Sequence, residues 1–559
     1  MRGINAAAAL LLALVLGVVA GALGAPAFAV LGPLFVGVCA VWPAAGVVAL
    51  IVACALDRLA VSVGGPNVRP DELAALALAA ALVIRAVLTP RTAPTPRRHG
   101  PARPAAPRAG QTTGPATAVA WQTTGTAVPA DYGIAPQHVH TSGLAFGTPD
   151  RSRSRFAVRP RGLVSRASPD SPTGQSQAAR AAPGRGVGGI PLLLPLLAYL
   201  GANALSTLSS GEGARGLSLD LITLALAILY GALVVSLDTP GRLLFGVRLW
   251  LGVAAAEAII GMLAFALYLG VHAAVPGVQL DPNSNNAPLV YGTLYEGNIF
   301  GSYMSAAFLI ALALVAEETV RRKGLLYLVL AATAVGLLVS GTRSAWGATI
   351  VGAVVLLALS RLGRGGRRGR LLVRLVGGLV AVGLIVVIGL IVLPSSVTGA
   401  FGARAQGLLN FGSGSGYGRV LLYREAVAEW QTQPLLGLGP GSFAYKLSGD
   451  TSTSAAWLPN LTLLTLHDTG ALGLLALVWL FAAFYAMATG ALRRAPPGET
   501  RAALAGLTAA VTALLVAFQL TPGLNLGYSW ALLALGVAAA RAAVGAREGR
   551  SVREERTAA

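Results

Sequence analysis

Apolar runs of about 18 or more residues recur along this 559-residue chain, and each is long enough to cross the hydrocarbon of a bilayer. Only 11% of the residues are charged, too few to cover the surface of a soluble protein of this length. With a mean hydropathy of +0.68, the chain reads as an all-α polytopic membrane protein. Spans are expected at 6–24, 26–40, 42–56, 71–88, 188–207, 218–236, 243–271, 298–316, 324–341, 344–360, 371–393, 469–489, 502–520 and 525–542. The total is about 12–14 transmembrane helices, depending on whether 26–56 is one helix or two. Pro33 and Pro43 favour two pieces.

Charge placement orients the spans. Nearly all of the positive charge is arginine, since lysine occurs only at Lys323 and Lys446. With about fourteen spans, Arg2, the 89–187 segment, Arg321 to Lys323, Arg361 to Arg370, Arg493 and Arg494 share one side. The positive-inside rule makes that side cytoplasmic and puts both termini there, in the inner (plasma) membrane. The net charge of +20 therefore belongs to topology, and with no aromatic-and-basic groove pattern a nucleic-acid partner is not expected. Residues 1–29 imitate a signal peptide, but further spans follow at once and an uncleaved first helix is expected. Cys39 and Cys54 lie in apolar runs and read as small buried hydrophobes.

The chain divides by composition into 1–88, N-terminal membrane helices; 89–187, a disordered cytoplasmic insertion rich in Pro, Arg and Ser; and 188–393, core membrane helices. A large extracytoplasmic segment at 394–468, C-terminal membrane helices at 469–542 and a cytoplasmic tail at 543–559 follow. The insertion has too few apolar residues to offset the entropy of ordering. Its His99, His138 and His140 show no ligand spacing, and no metal or cofactor is expected. The run holding Asp281, Asn283, Asn285 and Asn286 reads as a turn-rich loop.

Arginines on the arginine-poor side need a reason. Arg343 sits in the short hairpin "SGTRSAWG" at the membrane surface, where charge is costly and by default marks a site. Arg419 follows the glycines of "GSGSGYGR" and is expected to open a helix ending near Pro434, so that an anion could meet both its guanidinium and a helix N-terminus. Snorkelling of Arg343 to headgroups and an amphipathic interfacial helix bearing Arg419 are the plainer alternatives. Arg404 is a third such arginine.

Over roughly residues 290–480 the pattern resembles the O-antigen ligase and O-antigen (Wzy-type) polymerase superfamily. The polar hairpin Ser340 to Ser344 is similar to that family's. So are Arg419, Trp430, the Pro434 to Phe443 run, Asn460, and Asp468, Gly470, Gly473 and Leu474 leading into the next helix. The sequence departs where the family has a histidine, which here is Pro459; His467 lies eight residues further on, beside Asp468. The resemblance implies glycosyl transfer from an undecaprenyl-diphosphate-linked donor to a hydroxyl on a glycan, lipid or protein acceptor at the outer face. Arg343, Arg419, Arg404 and Asn460 would bind substrate, with His467 as base and Asp468 to orient it. Adjacent helical residues diverge by about 100°, which argues against direct contact between His467 and Asp468. A transporter using Glu257 in mid-span, and a family member that lost catalysis with its histidine, stay open as alternatives.

Overall fold

The computed structural model describes residues 25–56, 61–62, 67–88, 190–211, 213–271, 275–281, 287–320, 323–361, 377–378, 388, 414–443 and 458–558. The chain divides into two units, Met1–Pro90 with Val187–Ala559, and Arg91–Gly186. The second lies wholly outside the described residues, and with it the expected disordered insertion. The expected spans at 6–24 and, for the most part, 371–393 also lie outside them, as does Arg404.

The protein is an all-α, multi-pass membrane protein. The helices are α1 (Ala25–Val41), α2 (Pro43–Ala53), α3 (Pro70–Leu88), α4 (Leu193–Ser209), α5 (Gly213–Ser236) and α6 (Pro240–Val271). They continue with α7 (Gly297–Ala316), α8 (Lys323–Val339), α9 (Arg343–Arg361), α10 (Gly414–Trp430), α11 (Leu461–Arg494), α12 (Glu499–Ala517) and α13 (Gly527–Ala558). Seven of these (α5, α6, α7, α9, α11, α12 and α13) are long and apolar enough to cross a membrane; α2, α4 and α8 are shorter apolar helices. The 26–56 region is two helices, broken at Trp42 before Pro43, whose missing N–H costs nothing at the first position of a helix. Two small hairpins join the helices, β1–β2 (Val61–Ser62, Asn67–Val68) and β3–β4 (Val278–Asp281, Ala287–Val290). Asp281 thus closes a strand, opposite Ala287, where only a loop was expected.

Helix α7 is the centre of the bundle: its residues from Ile299 to Val315 are almost all buried, against α8, α9 and α12. Small residues allow the close approach. A Cβ on Gly506 would meet the Ile310 Cα at 2.9 Å, and one on Gly352 would meet Leu309 Cδ1 at 2.4 Å. Helices associate this way in lipid, where tight packing replaces the hydrophobic drive. Helix α13 runs on from its apolar part, Gly527–Gly545, to Ala558, so the expected tail is helical.

Candidate functional site

One end of the bundle gathers the start of α5, α7, α9, α11 and α13 with the end of α4, α6, α8 and α12. Helix α11 breaks there. Gly470 adopts φ 66°, ψ −167°, a conformation open essentially to glycine alone, and it interrupts the helical ladder. In an unbroken helix the carbonyls of His467 and Asp468 would accept from residues 471 and 472. Instead the Leu438 and Gly439 N–H groups donate to them at 2.9 and 3.0 Å. The freed Ala471 and Leu472 N–H groups donate to the Pro434 and Leu435 carbonyls at 2.9 and 3.2 Å. The Gly/Pro turn after α10 and the broken helix thus satisfy these four pairs of each other's backbone groups. Contact is so close that a Cβ on Gly437, itself at φ 73°, would fall 2.6 Å from the Asp468 carbonyl. One on Gly470 would fall 2.2 Å from the Leu435 oxygen.

The break also redirects side chains. His467 is fully buried, with Nδ1 3.0 Å from Asp468 Oδ1 and Nε2 2.9 Å from Glu429 Oε2. The neighbours expected to diverge are in contact. The Phe443 ring lies edge-on to the imidazole, with centroids 5.2 Å apart. Asp468 Oδ2 accepts from the Gly441 N–H at 2.9 Å, and the Asp468 carbonyl also accepts from Ser206 Oγ on α4. Arg215, at the head of α5, lies against Gly441 and acts electrostatically on Asp468. A neutral imidazole has one N–H and one lone pair. Held between two carboxylate oxygens, His467 is satisfied on both sides only as an imidazolium, or with one carboxyl protonated.

A second group of polar residues surrounds the turn between α12 and α13. The Leu461 N–H donates to the Phe518 carbonyl at 2.8 Å. Asn460 caps α11 by accepting from the Leu463 N–H at 2.9 Å, and its Nδ2 donates to the Gln519 carbonyl at 3.2 Å. Tyr423 on α10 donates from its hydroxyl to the Pro459 carbonyl at 3.0 Å. Burial pushes the Tyr423 phenol upward, and the charge of Arg419, one turn away, pulls it back. Two residues beyond Gln519, Thr521 Oγ1 donates to Glu296 Oε1 at 3.0 Å. Glu296 stands at the cap position of α7, and the next carbonyl, Gly297, accepts from Thr342 Oγ1 at 2.8 Å. Arg343, the first residue of α9, follows Thr342 and is partly exposed.

Arg343, Arg419, Asn460, His467 and Asp468 are therefore at one end of the molecule, in two groups: Asn460 bonds to the turn after α12, to which Arg343 is connected through Thr342, Gly297 and Glu296 and Arg419 through Tyr423, while His467 and Asp468 meet the turn after α10. Helix α10 begins at Gly414, so Arg419 is in its second turn. The expected coincidence with a helix N-terminus does not hold, since the dipole's influence fades within the first turn. The buried side of α10 runs through Ala426, with Leu422 and Tyr423 packed beside it. The sequence reading did not select Glu429, Arg215, Ser206 or Glu296. Arg215 carried the same signal as Arg343, an arginine on the side expected to be arginine-poor; Glu429, an acidic residue on a helix, carried none.

A family model described as O-antigen ligase matches residues 326–478, from α8 through the first half of α11. Over that stretch the chain is similar to the O-antigen ligase family. No curated protein matches the chain. The matched stretch includes Arg343, Arg419, Glu429, His467 and Asp468, together with both partners of the turn–helix exchange. Ser206, Arg215, Glu296 and Thr521 reach the same end from outside it.

Proposed function

We propose that this chain is a membrane glycosyltransferase of O-antigen ligase or polymerase type. It transfers a glycan from an undecaprenyl-diphosphate-linked donor to a hydroxyl acceptor at the outer face of the plasma membrane. The observation that carries this reading is the family match over residues that fold into one polar end of an apolar bundle and that include Arg343 and Arg419. The leaving diphosphate concentrates negative charge, and guanidinium groups in a poorly solvated setting stabilise it as it develops. In this reading Asn460, fixed by its own capping bond, orients the sugar through its remaining N–H. His467 and Asp468, bound to Glu429 and to the turn, hold α10 and hence Arg419 in place.

Glu257, the residue that motivates a transporter, accepts from the Thr293 hydroxyl and from the Thr293 N–H at 3.2 Å. It anchors the loop between β4 and α7, a structural occupation that leaves the transporter reading without its main support. The test is direct. The purified chain in lipid, given a lipid-diphosphate-linked oligosaccharide and a hydroxyl acceptor, is expected to yield a transferred or elongated glycan with release of undecaprenyl diphosphate. Absence of product with bound donor would leave the catalytically degenerate reading.

A further inference from the structure

A transferase that lacks the family's histidine at Pro459 still needs a group to take the acceptor's proton, and the structure holds two kinds of candidate. His467 has no nitrogen to spare: both ring nitrogens face carboxylates, and the ring is fully buried. Glu296 is the opposite case. Its Oε1 accepts from Thr521 Oγ1 at 3.0 Å and from Asn298 Nδ2 at 3.4 Å, while Oε2 accepts no hydrogen bond among the described residues. The side chain is partly exposed.

Its surroundings are those the reaction requires. On one side the carbonyl of Gly297 holds Thr342, the residue before Arg343. On the other, Thr521 lies two residues from Gln519, whose carbonyl holds Asn460; Asn460 follows Pro459, held by Tyr423. Glu296 thus lies between the Arg343 hairpin and the Tyr423–Asn460 corner where the histidine is missing.

We infer that Glu296 is a catalytic residue, the general base toward the acceptor hydroxyl; this rests on the glycosyl-transfer reading above. A lone pair on the acceptor oxygen forms the bond to the anomeric carbon. The bond from that carbon to the diphosphate oxygen breaks, and its electron pair leaves on undecaprenyl diphosphate. The hydroxyl proton passes to Glu296 Oε2 and then to solvent. A carboxylate suffices, because the hydroxyl becomes acidic only as the new bond forms, as in inverting glycoside hydrolysis. Its position outside the matched domain explains why the domain pattern does not reveal it.

The test uses the full chain in lipid with the donor and acceptor named above. Glu296→Gln keeps an amide oxygen for Thr521 and Asn298 but cannot take a proton. Its kcat is expected to fall by about 10²-fold or more, with KM for the donor within about twofold. Glu296→Asp is expected to keep more turnover than Glu296→Gln. Formate added to Glu296→Ala is expected to restore part of the lost rate, which no structural role would produce. Turnover of Glu296→Gln within about threefold of the wild-type chain overturns the inference. So does a loss of turnover that arrives with a lowered Tm and no response to formate. If the wild-type chain transfers glycan and Glu296→Gln does so equally, this inference alone fails. If the wild-type chain transfers none, the glycosyl-transfer reading fails first.

Discussion

At the residue scale, the arginines are the most demanding positions. A guanidinium grips a diphosphate through two parallel N–H donors, and a lysine offers only a point charge. Arg343→Lys and Arg419→Lys are therefore expected to be nearly as harmful as the alanine variants. Each should cost about 2–4 kcal/mol of transition-state stabilisation, or roughly 30- to 1000-fold in kcat/KM. Steady-state kinetics of the four variants check this, and a lysine variant with near-wild-type turnover would refute a bidentate role. These two arginines stand out in the sequence because the expected topology makes an arginine on that side anomalous. Glu296 was not, since a lone glutamate before a helix is an ordinary residue. Its significance comes from Thr521, 225 residues away. His467 stood out in the sequence beside Asp468, but its second carboxylate partner, Glu429, no spacing rule reveals.

The decisive element is the broken helix α11 with the turn docked into it. The run "PLLGLGPGSF" and the motif Asp468 to Gly473 read separately as a weak turn signal and a helix start. In the structure they are two halves of one device, joined by four backbone hydrogen bonds. Sequence periodicity could place both pieces but could not pair them, because backbone complementarity leaves no side-chain pattern. Gly470→Ala is expected to destabilise the chain by at least about 3 kcal/mol, since the backbone conformation and the space are both closed to a side chain. Gly490→Ala lies in the same helix with open space around it and is expected to be neutral, or to stabilise by up to about 1 kcal/mol. Thermal unfolding in detergent distinguishes the two. Equal Tm values would remove the turn–helix exchange from any role in stability. The same measurement applies to His467→Ala, expected to lower Tm as well as turnover because it leaves Glu429 and Asp468 facing an empty, buried position.

For the whole molecule, hydropathy builds the bundle and charge distinguishes its two ends. The apolar runs made the bundle legible from the start, because length and hydropathy are local properties that packing does not override. Which helices touch was not legible, since α7 is central through small residues whose partners lie far along the chain. Among the described residues, the end away from the site carries exposed Arg242, Arg248, Arg493 and Arg494. The orientation we propose, with that end cytoplasmic and the site extracytoplasmic, follows the positive-inside rule. Cys39 and Cys54 are both buried, so a reporter thiol placed elsewhere is read against a low background. Cysteine at Thr432, exposed just after α10, is expected to react with an impermeant maleimide added to intact cells. Cysteine at Arg494, exposed at the end of α11, is expected to react only after the membrane is opened. The pair shares a helix connection and so reports one orientation. Labelling of Arg494→Cys from outside, with Thr432→Cys protected, would invert the topology and place the arginines where no exported lipid-linked glycan could reach them.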